Sequence, residues 1–233
     1  MGVTKTTIGR NTVWADSTLP YRWYDAIGPG ISKVIEEFVS LPMLAAGTPA
    51  AYTTTAVNAS TVALVTGNLG GAAVFTTAAA ENDGVQIQAL GDAFLPTNVN
   101  KIYFGCKLQI SAATESDFLA GLCITDTTAI TDVTDGIYFR KIDGTAVCNH
   151  VVETASTETA TAAVTVVAAT DYILEWVWDG AAITFYVDGV LTGTPAVTNI
   201  PTAEYMTPTL AFLTGAGAAI TMTVSWMRCI QLD

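Results

Sequence analysis

The sequence predicts an all-β protein: an antiparallel β-sandwich preceded by an extended N-terminal arm that carries one short helix. Three observations lead there. From Thr48 onward, short runs rich in Thr, Val, Ile and aromatics follow one another. Gly, Asp and Asn punctuate them at intervals that suit a two-sheet sandwich. Near the C-terminus, Tyr172–Trp178 and Ile183–Val187 flank Asp179-Gly180, residues that tolerate the positive φ of a hairpin turn.

The arm covers residues 1–47 and the sandwich 48–233. Within the arm, Ile31, Val34, Ile35, Phe38 and Val39 fall at i, i+3, i+4, i+7 and i+8, one apolar stripe of a helix. Ser32 is its N-cap and Pro42 ends it. Such a helix must dock on something, and the aromatic stretch before it supplies further anchors. The expected partner contacts are Trp14, Leu19, Tyr21, Trp23 and Tyr24, together with Ile31, Val34, Ile35 and Phe38.

Further strands follow in order. Val85-Gln86-Ile87-Gln88 alternates apolar and polar, the mark of a half-buried strand. Lys101–Leu108 and Gly136–Lys141 are strand candidates, the latter turning at Asp143-Gly144 into Thr145–Val152. The Ala/Thr-rich run 155–169 is interleaved with Val164, Val166 and Val167, which makes it strand and loop. Ile220–Ile230 alternates again and closes the chain.

Composition narrows the function. Apolar residues make up 51% of 233 and charged ones 13%, enough for a large core and too apolar for disorder. No apolar run reaches the roughly 20 residues of a membrane-spanning helix. Nine Lys and Arg against 21 Asp and Glu give a net charge of −12, which disfavours nucleic acid and anionic membranes as partners. Cys106, Cys123, Cys148 and Cys229 lie far apart in strand-like runs and form no C-x-x-C pair, so buried thiols are expected; spacing alone leaves a cross-strand disulfide open. With no apolar leader at the N-terminus, folding in a reducing cytoplasm is the expectation.

The segment DYILEWVWDGAAITFYVDGV, residues 171–190, resembles concanavalin A-like, laminin-G-type jelly rolls. Asp135–Phe139 and Val224–Met227 sit where that fold places strands, so the resemblance implies a jelly-roll sandwich over roughly 75–233. More narrowly, ENDGVQIQ (81–88) with Ala93-Phe94, and SDFLAGL (116–122), resemble structural proteins of tailed-phage particles, among them capsid decoration (cement) proteins. That resemblance implies a homo-oligomer, most plausibly a trimer, on the head shell.

Chemistry was sought against this background. Glucanases of a related jelly roll use E-x-D-x-x-E on one strand, whereas Glu81–Gln86 here ends in Gln and reads as a turn entering a strand. A glycosidase is therefore rejected. His150, the only histidine, has no G-x-S-x-G partner motif and no recognisable triad. Asp126, Asp132 and Asp135 are weak calcium candidates, since jelly rolls of this kind bind Ca²⁺ through loop carboxylates. Trp176 and Trp178 share a strand face and are assigned to the core in preference to a sugar platform. No catalytic residue and no cofactor is expected.

The sequence expectation is therefore a non-enzymatic viral structural protein: a capsid decoration protein on the virion, made in the host cytoplasm. Its partners would be the major capsid protein and its own copies. The competing expectation is a lectin-like, carbohydrate-binding module of a tail appendage or cell surface.

Overall fold

The computed structural model describes residues 2–40, 43–44, 48–49, 51–128, 130 and 132–233. Four strands open the chain: β1 (Val3–Ile8), β2 (Asn11–Asp16), β3 (Trp23–Ile27) and β4 (Ile31–Glu36). Next come β5 (Met43–Leu44), β6 (Thr48–Pro49), β7 (Tyr52–Ala56), β8 (Thr61–Leu64), β9 (Ala73–Thr76) and β10 (Gly84–Ala89). The middle of the chain forms β11 (Lys101–Ile110), β12 (Ser116–Cys123), β13 (Gly136–Lys141), β14 (Val147–Thr154) and β15 (Thr157–Thr165). The remainder forms β16 (Tyr172–Trp178), β17 (Ile183–Val187), β18 (Val190–Gly193), β19 (Thr207–Thr214) and β20 (Thr221–Leu232).

Two antiparallel sheets face each other. One has seven strands in the order β15-β14-β13-β12-β19-β10-β7. The other has eight: β18-β17-β16-β11-β20-β9-β8, with β4 also paired to β20. Alternation along each strand sends Phe104, Trp176 and Phe185 from one sheet, and Phe118, Phe139 and Phe212 from the other, into a shared core. Phe104 stacks on Trp176 and Phe139 meets Phe185 edge-on, with ring centroids 5.8 and 5.3 Å apart. Each such side chain, fully withdrawn from water, contributes about 1.5–3 kcal/mol to folding. Trp178 also belongs to this core, its indole N–H donating to the Thr97 carbonyl at 2.7 Å. The fold is a concanavalin A-like jelly-roll sandwich, as the hairpin at 172–187 predicts.

The helix expected over 31–39 is not formed. Residues 31–36 are strand β4, six residues paired from Ile31↔Leu232 to Glu36↔Met227. Strand β20 is twelve residues long, and β9 uses only Thr221–Val224 of one edge, so the rest of that edge is open to another strand. Ile31, Val34 and Ile35 are β-branched and satisfy that edge better than an isolated helix of two turns. Ser32, the expected N-cap, pairs with Gln231 instead. Phe38 takes φ +49 past the strand end and enters the core at 1% exposure. Among the described residues the only helical turn is a 3₁₀ turn at Val197–Asn199. Pro42, the expected helix end, lies outside the described residues.

Strands β1, β2 and β3 form a separate small sheet. It lies on the outer face of the eight-stranded sheet, where Val13, Ala15, Trp23 and Ala26 pack with Tyr103, Ile230 and Leu232.

Candidate functional site

Outside the core, the two sheets present very different outer faces. On the eight-stranded sheet, Glu175 is buried under the N-terminal sheet, where the Arg22 guanidinium grips both carboxylate oxygens and the Tyr103 hydroxyl donates to one at 2.9 Å. Tyr21 stacks on Tyr186, centroids 3.7 Å apart, and Trp23 packs on Tyr103. The Glu175 carboxylate is satisfied within the fold.

The seven-stranded sheet keeps reactive groups nearer to water. Cys123, Gly136, Glu153 and Glu158 stand in one row across β12, β13, β14 and β15. Two residues along β13, Tyr138 shares this face, and Arg140 follows it. Glu153 and Glu158 are directly opposed cross-strand partners. Such partners carry Cβ atoms about 4.5–5.5 Å apart, so the two side chains leave the sheet side by side.

A two-residue turn sets this opposition. Ala155 and Ser156 both adopt the left-handed region, φ +48 and +59. Residues with a Cβ pay about 1–2 kcal/mol each for that conformation, so something must hold it. Asp135 does: its Oδ1 accepts from the Thr154 hydroxyl at 2.9 Å and the Ala155 N–H at 3.0 Å. The Ser156 N–H donates to the Thr134 carbonyl at 2.8 Å.

The two glutamates sit in different environments. Glu153 is 6% exposed and accepts a short hydrogen bond from the Tyr138 hydroxyl. Burial, with smaller pushes from Glu158 and Asp135, raises its pKa above the ordinary value of 4.5; Tyr138 and Arg140 pull the other way. Glu158 is the more open one and is held by Arg140, Nη2 to Oε2 2.6 Å. The Arg140 guanidinium also lies 5.8 Å from the centre of the Tyr138 ring. Tyr138 reaches its place because Gly136 has no side chain: a Cβ there would stand 2.7 Å from the ring. A buried carboxyl with a raised pKa beside an exposed carboxylate paired with arginine is the asymmetry on which a general acid and a nucleophile can be divided.

Described residues between β12 and β13 cover the middle of the same face. Ile130 and Val133 pack on Leu119, Tyr138, Val151 and Ala211, and Gln88 ties the loop down by donating to the Ile124 carbonyl at 3.0 Å. Beyond this loop, at the β7–β10 edge, lies a cavity of about 430 Å³.

The residues singled out from sequence have these positions. Tyr21, Trp23, Ile31 and Ile35 pack on the chain's own eight-stranded sheet, and Tyr24 donates to Asp16 at 2.7 Å. Val34 packs on the main core, which Phe38 enters; Trp14 and Leu19 are half-buried. The calcium candidates are not gathered: Asp135 holds the hairpin, Asp126 accepts from Thr128, and the Asp132 N–H donates to the Thr128 carbonyl. Among the described residues no group of three His, Cys, Asp or Glu side chains is placed to hold a metal. His150 is buried against Phe185, centroids 4.7 Å apart, and burial lowers its pKa. All four cysteines are buried as unpaired thiols. Glu81 and Asn82 form an exposed turn before β10, so the E-x-D-x-x-E comparison fails at that segment.

No protein-family model matches the sequence, and no curated protein matches it. Solved structures share the fold. A protein of unknown function from Shewanella oneidensis superposes with a TM-score of 0.62 at 12% identity, over 87% of each chain. A Bacillus licheniformis β-glucanase gives 0.59 at 13% identity, covering 84% of this chain and 97% of its own. An endo-1,3-β-glucanase from Streptomyces sioyaensis gives 0.57 at 15% identity, covering 90% and 99%. At such identities the likeness shows the fold.

These findings correct the functional expectation. Solved structures that share the fold include glycoside hydrolases such as β-glucanases, so the non-enzymatic capsid decoration role is withdrawn. The expectation of no catalytic chemistry falls with it. Sequence reasoning looked for paired acids along one strand, and among the described strands none carries two. The pair instead spans a hairpin, written as Glu153-Thr-Ala-Ser-Thr-Glu158. Two acids five apart around a two-residue turn were the available signal; the turn lacks the Gly or Asn that announces one.

Proposed function

We propose that the chain cleaves glycosidic bonds by a retaining mechanism, with Glu158 as nucleophile and Glu153 as general acid and base. The observation that carries this reading is the cross-strand opposition of the two glutamates, one buried against a phenol and one paired with a guanidinium. The β-glucanases of the same fold support a glycan as the substrate class.

In the first step the Glu158 carboxylate attacks the anomeric carbon. The bond from that carbon to the leaving oxygen breaks, and the Glu153 proton passes to that oxygen. A glycosyl ester on Glu158 results. In the second step Glu153, now ionised, takes a proton from water, and the water oxygen displaces Glu158 from the anomeric carbon. Arg140 holds Glu158 in place through their ion pair. Tyr138 fixes Glu153.

The test is release of reducing ends from a panel of neutral β-glucans by the wild type, Glu153→Gln and Glu158→Gln. Release by the wild type and loss in both variants is expected. Activity that survives both substitutions would refute the assignment.

A further inference from the structure

We infer that the cavity at the β7–β10 edge is a binding site for an uncharged sugar unit, separate from the glutamate pair. Its volume of about 430 Å³ falls within the roughly 300–1,000 Å³ of sites that enclose small organic ligands. Thr55, Asn82 and Thr127 bring hydroxyl and amide groups to its walls, while Val57, Ile130 and Leu213 supply an apolar side. A sugar ring needs both, having hydroxyls at its rim and C–H groups on its faces.

Charge decides the class further. The chain carries −12, yet among the described residues that line the cavity none is ionisable. Of the three acids adjacent in sequence to lining residues, Glu81 is exposed on the turn before β10 and the other two are held by their neighbours. Asp83, 3% exposed, accepts from the Asn58 amide and the Ala80 N–H. Asp126 accepts the N–H and the hydroxyl of Thr128 at 2.8 and 2.9 Å. An anionic sugar would enter a negative field with no cation among the described lining residues to meet it. Strand β10 fixes one wall to the other, because Gln86 donates to the Asp126 carbonyl while the Asp126 N–H donates to Gln88 at 3.0 Å. Neither Tyr138 nor either glutamate is among the described lining residues, so a glycan held here does not touch the pair.

The ligand class rests on the carbohydrate reading, and the test keeps the two claims apart. Binding of a neutral β-1,3-glucan trisaccharide and of a triuronate is measured by isothermal titration calorimetry on Glu153→Gln/Glu158→Gln, which does not turn over. The same titration is made with Val57→Trp or Thr127→Trp added. Both added positions are exposed, so the larger side chains fill the mouth and spare the core. The expected result is binding of the trisaccharide only, weakened at least tenfold by either tryptophan. Unchanged affinity in both tryptophan variants, equal binding of the triuronate, or no binding of the trisaccharide overturns the site. Binding here in a protein that cleaves nothing would overturn the catalytic proposal and leave this one standing.

Discussion

Glu175 and Glu153 are both buried carboxylates on outer faces of the same sandwich, and they are treated in opposite ways. Glu175 is sealed beneath the N-terminal sheet with a full counter-charge from Arg22 and a phenol from Tyr103. Glu153 has a phenol but faces a second carboxylate across the hairpin, at the rim of its sheet. A carboxylate matched by its own cation holds two layers together. One matched only by neutral donors and crowded by like charge is left poised between protonation states. Substitutions separate the two roles.

The largest effect is expected at the pair itself. Glu158→Gln lowers kcat about 10³-fold or more and Glu153→Gln about 10²–10⁴-fold, the range for loss of a positioned acid, with little change in thermal midpoint. Arg22→Ala does the reverse. It leaves Glu175 buried without its cation, which costs roughly 3–5 kcal/mol, read as a lower denaturation midpoint. Per folded molecule, cleavage is retained. If Arg22→Ala and Glu158→Gln gave the same loss of stability, the contrast between the faces would be wrong.

Smaller effects sharpen the contrast. Asp135→Ala releases the left-handed turn at Ala155-Ser156, and kcat is expected to fall about tenfold with a stability loss of about 1–3 kcal/mol. Adding Ala155→Asn and Ser156→Gly, which favour such a turn, restores both. A role for Asp135 unconnected with the turn would not be rescued.

The pH response follows from Glu153. Its carboxyl is raised in the folded state, so the folded protein binds a proton more tightly than the unfolded chain. Stability from this group is full below the ordinary value of 4.5 and is lost as pH rises through the raised value. Cleavage needs the same proton, so the basic limb of kcat/KM follows Glu153. Tyr138→Phe removes a hydrogen bond that lowers this pKa, and the basic limb moves to higher pH.

Much of the sandwich was legible because its signals are local. Alternation, β-branched runs and the Asp179-Gly180 turn place Tyr172–Trp178 and Ile183–Val187 with the bounds that β16 and β17 take. Strand β4 was not, since Ile31, Val34 and Ile35 fit a helical stripe as well as an edge strand. What decided the matter was an open stretch of β20, about two hundred residues downstream. The glutamate pair was hidden for a related reason. Its register depends on Asp135 stabilising a turn of Ala and Ser, and that contact is visible only once β13 and β14 are paired.

The account stands most directly on the anomeric configuration of the first product released from a β-glucan, followed by proton NMR during the opening minutes of the reaction. Directly opposed glutamates predict the β-anomer first, with the α-anomer appearing only by mutarotation. An α-anomer formed first, or no product from any glucan in the panel, would contradict it.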